Sequence, residues 1–401
     1  MKILFLTPRL PFPPNRGDRL RYFNFAKVLS RKHSLSLISF IQSEKELSAI
    51  GGCEGIFDRV ETVLLKPWRS YVNMALCFLS GSPLQVAYFH SRKMRKKIEE
   101  TMKKEKYDAV YTFHLRMAPY SRGIKNAYKI LDLTDAVSLF LRRMISHRHP
   151  LLRPIFHREA VSTNKYESEI VDDFDESWLI SDLDRRAIEC RTKDDLIVVP
   201  NGIDTDHFVP DPSFKREENS ILFVGYMGVE SVVTVKYFLK EIFPKVLAKI
   251  PSAKFYIVGA DPPPEIKKLS KDKNIIVTGY IEDLRQYYGK ASVLIAPMRF
   301  VAGVQNKILE AMAMEVPVVT SSLGNEGIDA AHGENIFVED DPDMFALRVV
   351  DLLKDKALRE SVGSNARKYV KGRFAWDSVA ERMDRVAEII AKNNTLDKSV
   401  S

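Results

Sequence analysis

The 401-residue chain is poor in cysteine: Cys53, Cys77 and Cys190 are its whole complement, and no two are closely spaced. That excludes a disulfide framework and a zinc knuckle, and it fits a reducing cytoplasm. The eight histidines form no H-E-x-x-H arrangement, and His147, His149 and His157 lie in a basic stretch that reads as solvated. No metal site and no metal cofactor is therefore expected. No segment has the run of about 18 apolar residues that spans a membrane. The opening MKILFLTPRLPFPP is too short in its apolar part for a signal peptide and reads as a buried first strand. An acidic balance is missing from the first half. Residues 1–200 carry 34 Lys and Arg against 24 Asp and Glu, while residues 201–401 carry 27 against 29. Such asymmetry points to an anionic partner, and with no recognised nucleic-acid module the reading is a membrane surface, not nucleic acid.

What is present is alternation. With 45% hydrophobic and 28% charged residues, the chain suits two globular domains of roughly 200 residues each. Strand candidates in the first half are Ile3–Thr7, Leu35–Phe40, Val60–Leu65, Ala109–Phe113, Lys129–Leu133 and Ser177–Ile180. Those in the second are Ser220–Val224, Lys254–Val258, Ile275–Thr278, Val293–Ala296, Val316–Thr320 and Asn335–Val338. Helices at about Arg19–Arg31, Lys93–Lys106 and Glu159–Asp172 intervene in the first series, and others in the second. Two doubly wound α/β domains follow. IVVPNGIDTDHFVPDPSF between them reads as strand, turn and linker, and a last helix is expected over Val379–Lys392. The segment Trp68–Phe89 reads as a buried helix–loop–helix or as an apolar lip near a lipid or acceptor. The run Arg92–Lys106, with eight basic and three acidic residues, reads as a solvated helix face or an anionic-surface contact.

The segment VLIAPMRFVAGVQNKILEAMAMEVPVVT, Val293–Thr320, is the most informative. It reads as strand, loop, helix from about Val304 to Met314, and strand, the unit of a parallel sheet. Arg299, Gly303, Val304, Asn306 and Lys307 fall in the loop and first turn. Glu310 follows Lys307 by three, which puts both on one helix face. A diphosphate on the helix N-terminus would meet N–H groups and the dipole, with Arg299 and Lys307 neutralising it and Glu310 accepting ribose hydroxyls. The plain alternative is an amphipathic helix with a solvated Lys–Glu pair. Ligands bind beyond the C-terminal ends of strands in such sheets, which favours the cradle.

Other positions are weighed the same way. Gly17 lies between the first strand and helix, where glycine lets backbone N–H groups approach a ligand, though a plain turn also fits. Asp18 beside it is a helix cap or an acceptor contact. Asp132 and Asp135 follow a strand, one to cap a helix and one to meet an acceptor hydroxyl. His114 ends a strand, where a lone histidine is usually structural. Asn201 and Gly202 form an Asn-Gly turn. Tyr280 and Ile281, after Gly279, offer backbone to a base edge, and Gly225, Gly228 and Gly259 serve close backbone approach.

PNGID at Pro200–Asp204, the LEAMA block ending in GNEGI at Gly324–Ile328, and RFAWD at Arg373–Asp377 resemble glycosyltransferase family 4. TPRLPFPPNRGDRLR, DLTDAVS and GVQNKILEAMAM are similar to a subgroup of sugar transferases tied to bacterial exopolysaccharide and PEP-CTERM loci. The resemblance implies the GT-B fold: two Rossmann-like domains facing across a cleft, with a C-terminal helix crossing back to the first. The expected domains are 1–187 with 376–401 on the acceptor side, and 188–375 on the nucleotide-sugar side. It also implies retaining transfer from a nucleotide-diphosphate sugar to a saccharide or lipid-linked hydroxyl, in the cytoplasm, without a bound cofactor. His114 would stand near the donor sugar, Gly17 near the donor phosphate, and Asn201 and Gly202 beside the nucleotide. The sequence departs from the family pattern in two places. The first glutamate of E-x7-E falls on Ala302, and the basic residue expected after the first strand of the second domain is Tyr226. A sugar-nucleotide epimerase and a non-catalytic binding subunit remain as alternatives.

Overall fold

Strands such as KILFLT and SLSLISFI carry almost no charge and sit buried along nearly their whole length, which requires cover on both faces and suits a parallel sheet. The structure, a computed structural model, describes residues 1–14, 17–78, 81–191, 196–301 and 303–399. Its strands form two wholly parallel sheets, in two units: Met1–Pro200 with Trp376–Ser401, and Asn201–Ala375.

In unit 1 the chain runs β1 (Lys2–Thr7), α1 (Gly17–Leu29), β2 (Ser34–Ile41), β3 (Arg59–Leu64), α2 (Pro67–Cys77), α3 (Leu84–Tyr88), α4 (Arg92–Lys104), β4 (Ala109–Phe113), α5 (Ala118–Ser121), β5 (Tyr128–Thr134), α6 (Val137–Met144), α7 (Arg153–Ile170), β6 (Glu176–Leu179), α8 (Asp182–Ala187) and β7 (Leu196–Val198). The sheet order is β3-β2-β1-β4-β5-β6-β7, so the winding reverses between β1 and β4. Strand β7 pairs with β6, which carries the unit past the expected boundary at 187 to Pro200. Helix α17 (Asp377–Ser399) belongs here too. Trp376 packs edge-on to Phe25 at 5.6 Å, Met383 and Val386 join the core, and Arg382 meets Glu176 at 2.7 Å.

Unit 2 runs β8 (Ser220–Val224), α9 (Val229–Tyr237), α10 (Phe243–Lys249), β9 (Lys254–Val258), α11 (Pro264–Lys267), β10 (Ile275–Gly279), α12 (Arg285–Lys290), β11 (Val293–Ala296), α13 (Asn306–Ala313), β12 (Val318–Thr320), α14 (Ser322–Asn325), β13 (Phe337–Val338), α15 (Pro342–Lys354) and α16 (Lys356–Arg373). Its order, β10-β9-β8-β11-β12-β13, reverses between β8 and β11. Such a switch point opens a crevice beyond the strand ends.

Two expectations need correction. Helix α13 begins at Asn306, not Val304, because Gly303 takes φ +67° and Gln305 is extended, leaving Gly303 and Val304 in the loop. The helix–loop–helix of Trp68–Phe89 is present as α2 and α3, but α2 is not buried: Trp68, Tyr71, Val72 and Leu76 are exposed. The basic run forms α4, buried through Met94, Ile98 and Thr101, with Lys97 paired to Glu61 at 2.5 Å.

Candidate functional site

The end of β8 is opened by glycine. Gly225 N–H donates to Val258 at 3.0 Å, and Gly259 N–H to Gly279 at 3.1 Å, linking three neighbouring strand ends. A Cβ on Gly259 would stand 1.8 Å from the Gly225 carbonyl oxygen, and one on Gly225 would stand 3.0 Å from Ser231 Oγ and 3.5 Å from Lys307 Nζ. These strand ends therefore pack tightly without side chains, and the Lys307 ammonium lies directly over Gly225. Tyr226 and Tyr280 flank this edge, both exposed, and Ile281 is half-buried.

Lys307 is 12% exposed, lies 5.1 Å from the Phe223 ring centroid and forms an ion pair with Glu230 of α9 at 3.8 Å. That separation exceeds a hydrogen bond, so the ammonium keeps donors in hand. Burial pushes the Glu230 carboxyl above its ordinary pKa, against the pull of Lys307. One turn along α13, Glu310 Oε2 accepts from the Tyr288 hydroxyl at 2.6 Å, while Oε1 accepts from no described residue. Burial is also the main force raising the Glu310 pKa, opposed by the Tyr288 hydrogen bond and Lys307. Tyr288 is fully buried and held well above the phenol range by burial and then by Glu310. Its hydroxyl thus stays a donor and fixes the carboxylate.

Other expected residues of unit 2 fall around this pair. Asn306 Oδ1 accepts from Asn201 Nδ2 at 3.3 Å, joining the Asn201–Gly202 turn to the first turn of α13. Arg299 follows β11, is exposed, and lies 4.5 Å from the ring centroid of Tyr237 in α9. Gly303 and Val304 are buried. Ala302 lies outside the described residues.

Unit 1 treats its expected residues differently. Gly17 is the first residue of α1, and the Asp18 side chain lies outside the description. His114 takes φ +72° just after β4, an uncommon conformation for a non-glycine residue, and its N–H donates to the Asp132 carbonyl at 2.6 Å. The Nδ1 atom has no hydrogen-bond partner among the described residues. Burial, with Arg116 and Arg9 adding, holds the ring well below the usual histidine pKa, so it is neutral at pH 7. Asp132, expected to meet an acceptor, is instead fully buried. It is bonded to Arg21 Nε at 2.8 Å, to Tyr111 and to the Thr134 N–H at 3.0 Å. Its oxygens are committed inside the unit, and its role is structural. Asp135 is half-buried at the end of β5.

Sequence reasoning missed Glu230, Tyr288 and Tyr237. Glu230 had a signal, an acid in the first turn of a helix after a glycine-bearing loop. Tyr288 stands 22 positions before its partner Glu310 and carries no local mark. Among the described residues no three His, Cys, Asp or Glu side chains gather as metal ligands.

Residues 218–355 match the family model described as glycosyl transferases group 1. A Klebsiella pneumoniae protein named as an uncharacterized 44.6 kDa protein in the cps region is 25% identical over 390 residues, covering 93% of this chain and 96% of its own. CapM of Staphylococcus aureus, a capsular polysaccharide biosynthesis glycosyltransferase, is 25% identical over 209 residues, 48% of this chain and 54% of CapM. The chain thus spans nearly all of the first relative and about half of the second. Among solved structures, Anabaena HepE in complex with UDP and glucose has a TM-score of 0.69 at 16% identity, with 97% of this chain and 99% of HepE covered.

Proposed function

We propose that this chain, which has the GT-B fold, is a glycosyltransferase of the group 1 family that its residues 218–355 match, and that it moves a sugar from a nucleotide diphosphate to a hydroxyl acceptor and retains the anomeric configuration. The supporting observation is the gathering of Lys307, the Gly225 backbone and Glu310 at the reversal between β8 and β11. In this reading the diphosphate displaces Glu230 as the partner of Lys307, and Arg299 and the N–H groups at the start of α13 share its charge. As the bond from anomeric carbon to diphosphate oxygen breaks, negative charge grows on the leaving diphosphate. Preorganised cations and N–H dipoles stabilise such developing charge. Glu310, held through Oε2 by Tyr288, takes ribose hydroxyls on Oε1. Gly225, Tyr280 and Ile281 border the nucleotide, as do Asn201, Gly202, Gly303, Val304 and Asn306. Gly17 and the neutral ring of His114 serve the donor's phosphate and sugar, and Asp18 and Asp135 serve the acceptor. No metal is assigned to the reaction.

UDP in HepE and the capsular role of CapM support a nucleotide-sugar donor and a saccharide or lipid-linked acceptor in exopolysaccharide, capsule or glycolipid synthesis. The subgroup tied to PEP-CTERM loci is part of this reading. So is a cytoplasmic place of action on an anionic membrane surface, which the basic first half supports. Incubation with a panel of nucleotide sugars, with and without saccharide and lipid-linked acceptors, tests it: nucleoside diphosphate release that needs acceptor is expected. One observation favours a second reading, a binding subunit without turnover, namely Ala302 in place of the first glutamate of the family pattern. Tight diphosphate binding with no release from any donor would decide for that reading. Donor conversion without acceptor would decide for an epimerase.

A further inference from the structure

Helix α2 is amphipathic with its polar side inward. Ser70 is fully buried, and Asn73 donates to the His90 carbonyl at 3.1 Å. Trp68, Tyr71, Val72 and Leu76 follow the i, i+3, i+4, i+8 spacing of one helix face. They are 60%, 63%, 49% and 76% exposed. Neighbours fix this orientation. Arg158 of α7 donates to the Cys77 and Phe78 carbonyls at 3.4 and 2.8 Å, capping the C-terminal end of α2 where a cation is favoured. Tyr71 packs edge-on against Tyr88 at 5.9 Å. The approach to α7 adds Leu151 and Leu152, at 81% and 45% exposure, and Ile155 follows in its first turn.

Along the chain the charges next to these apolar groups are basic, and the acids that border them, Glu61 and Glu159, are paired with Lys97 and Arg158. Residues 62–98 contain seven Lys and Arg and no Asp or Glu, and residues 136–158 contain five Arg and again no acid. Large exposed apolar patches mark interaction sites. One that includes Trp and Tyr within a basic surround matches an anionic bilayer, whose acyl boundary takes the apolar tips and whose headgroups take the cations. A second copy of this chain would bring the same cations onto the same face, which like-charge repulsion opposes.

We propose that the outward stripe of α2, with Leu151, Leu152 and Ile155, is the face that seats this chain on an anionic lipid surface, with Lys66 and Arg69 meeting headgroup phosphates. This rests on the membrane partner proposed above and identifies where it docks. Trp68 is the reporter, since Trp178 and Trp376, the other two tryptophans, are buried. The full chain is mixed, without donor, with phosphatidylglycerol vesicles and with phosphatidylcholine vesicles. The expected result is co-sedimentation, a blue-shifted emission and protection from acrylamide with the anionic vesicles only. Leu76→Glu combined with Leu151→Glu lowers co-sedimentation at least tenfold, while Leu347→Glu, exposed on unit 2, leaves it unchanged. Trp68→Phe keeps co-sedimentation and loses the spectral shift. Co-sedimentation with no change at Trp68 would overturn this face and leave the membrane partner standing. No co-sedimentation would overturn both, with donor turnover, read separately, unaffected. A shift that grows with protein concentration in the absence of lipid would assign the stripe to a second copy and overturn the proposal.

Discussion

Toward the C-terminal end of its sheet, unit 1 sets Asp132 against Tyr111, and unit 2 sets Glu310 against Tyr288, each with a cation nearby. In unit 1 the cation closes on the carboxylate: Arg21 reaches Asp132 at 2.8 Å and all three side chains lie inside. In unit 2 the cation turns away, with Lys307 facing Glu230 at 3.8 Å and Glu310 keeping one oxygen without a partner among the described residues. The same three kinds of group thus make an internal fastening in one unit and an open polar edge in the other. The difference lies in whether the partners are used up within the protein. A carboxylate with all its bonds made inside can stabilise the fold but has little left for a ligand.

The largest expected effect tests the fastening. Asp132→Ala removes one side of a fully buried ion pair and should destabilise unit 1 by about 3–5 kcal/mol. Urea unfolding followed by tryptophan emission reads this unit alone, because Trp68, Trp178 and Trp376 all belong to it. Nucleoside diphosphate affinity of the folded variant should stay unchanged by calorimetry; a lost affinity at unchanged stability would break the comparison.

Lys307→Ala should do the reverse. It should weaken nucleoside diphosphate binding by about 1.5–3 kcal/mol, the scale of a hydrogen bond to a charged group, and leave the tryptophan transition where it was. Unchanged affinity in a folded variant would remove the cradle.

Glu167 extends the contrast to a second buried carboxyl of unit 1. Burial raises it to about 7, with Ser138 pulling it back. The native state therefore holds this proton more tightly than the unfolded chain does. The contribution is full below the ordinary carboxyl pKa, and stability falls as pH rises from there to about 7. Glu167→Gln should abolish that slope and raise stability at pH 8 by on the order of 2 kcal/mol. A wild-type midpoint flat across this window would show that Glu167 is ionised without cost.

The smallest effect separates ribose from phosphate. Glu310→Gln should weaken nucleoside diphosphate more than inorganic pyrophosphate, by about 1 kcal/mol. Equal losses for the two ligands would make Glu310 a structural group like Asp132.

Much of this was legible beforehand. Ala109–Phe113, Ser220–Val224, Lys254–Val258 and Val293–Ala296 are strands over just those residues, because short apolar runs bounded by turn residues have few other uses in an alternating chain. Lys307 and Glu310 were readable as a pair because three residues on a helix define a face. Asp132 was not readable as internal, because Arg21 lies 111 positions away and nothing near DLTDAVS announces it. The start of α13 was misjudged by two residues, since the positive φ of Gly303 belongs to the loop's path and not to helix propensity.

The sequence by itself determined two doubly wound α/β halves, the absence of a membrane-length apolar run, and a lysine and a glutamate one turn apart after a strand. These are matters of spacing and composition, which act over a few residues. Only the tertiary structure decided which charged groups stay open and which close. It brought Arg21 to Asp132, Tyr288 to Glu310 and Glu230 to Lys307, and it turned the apolar side of α2 outward by seating Arg158 on its C-terminal carbonyls. Burial and pairing depend on neighbours distant in sequence, so the same residue types end as a fastening in one unit and an open polar edge in the other.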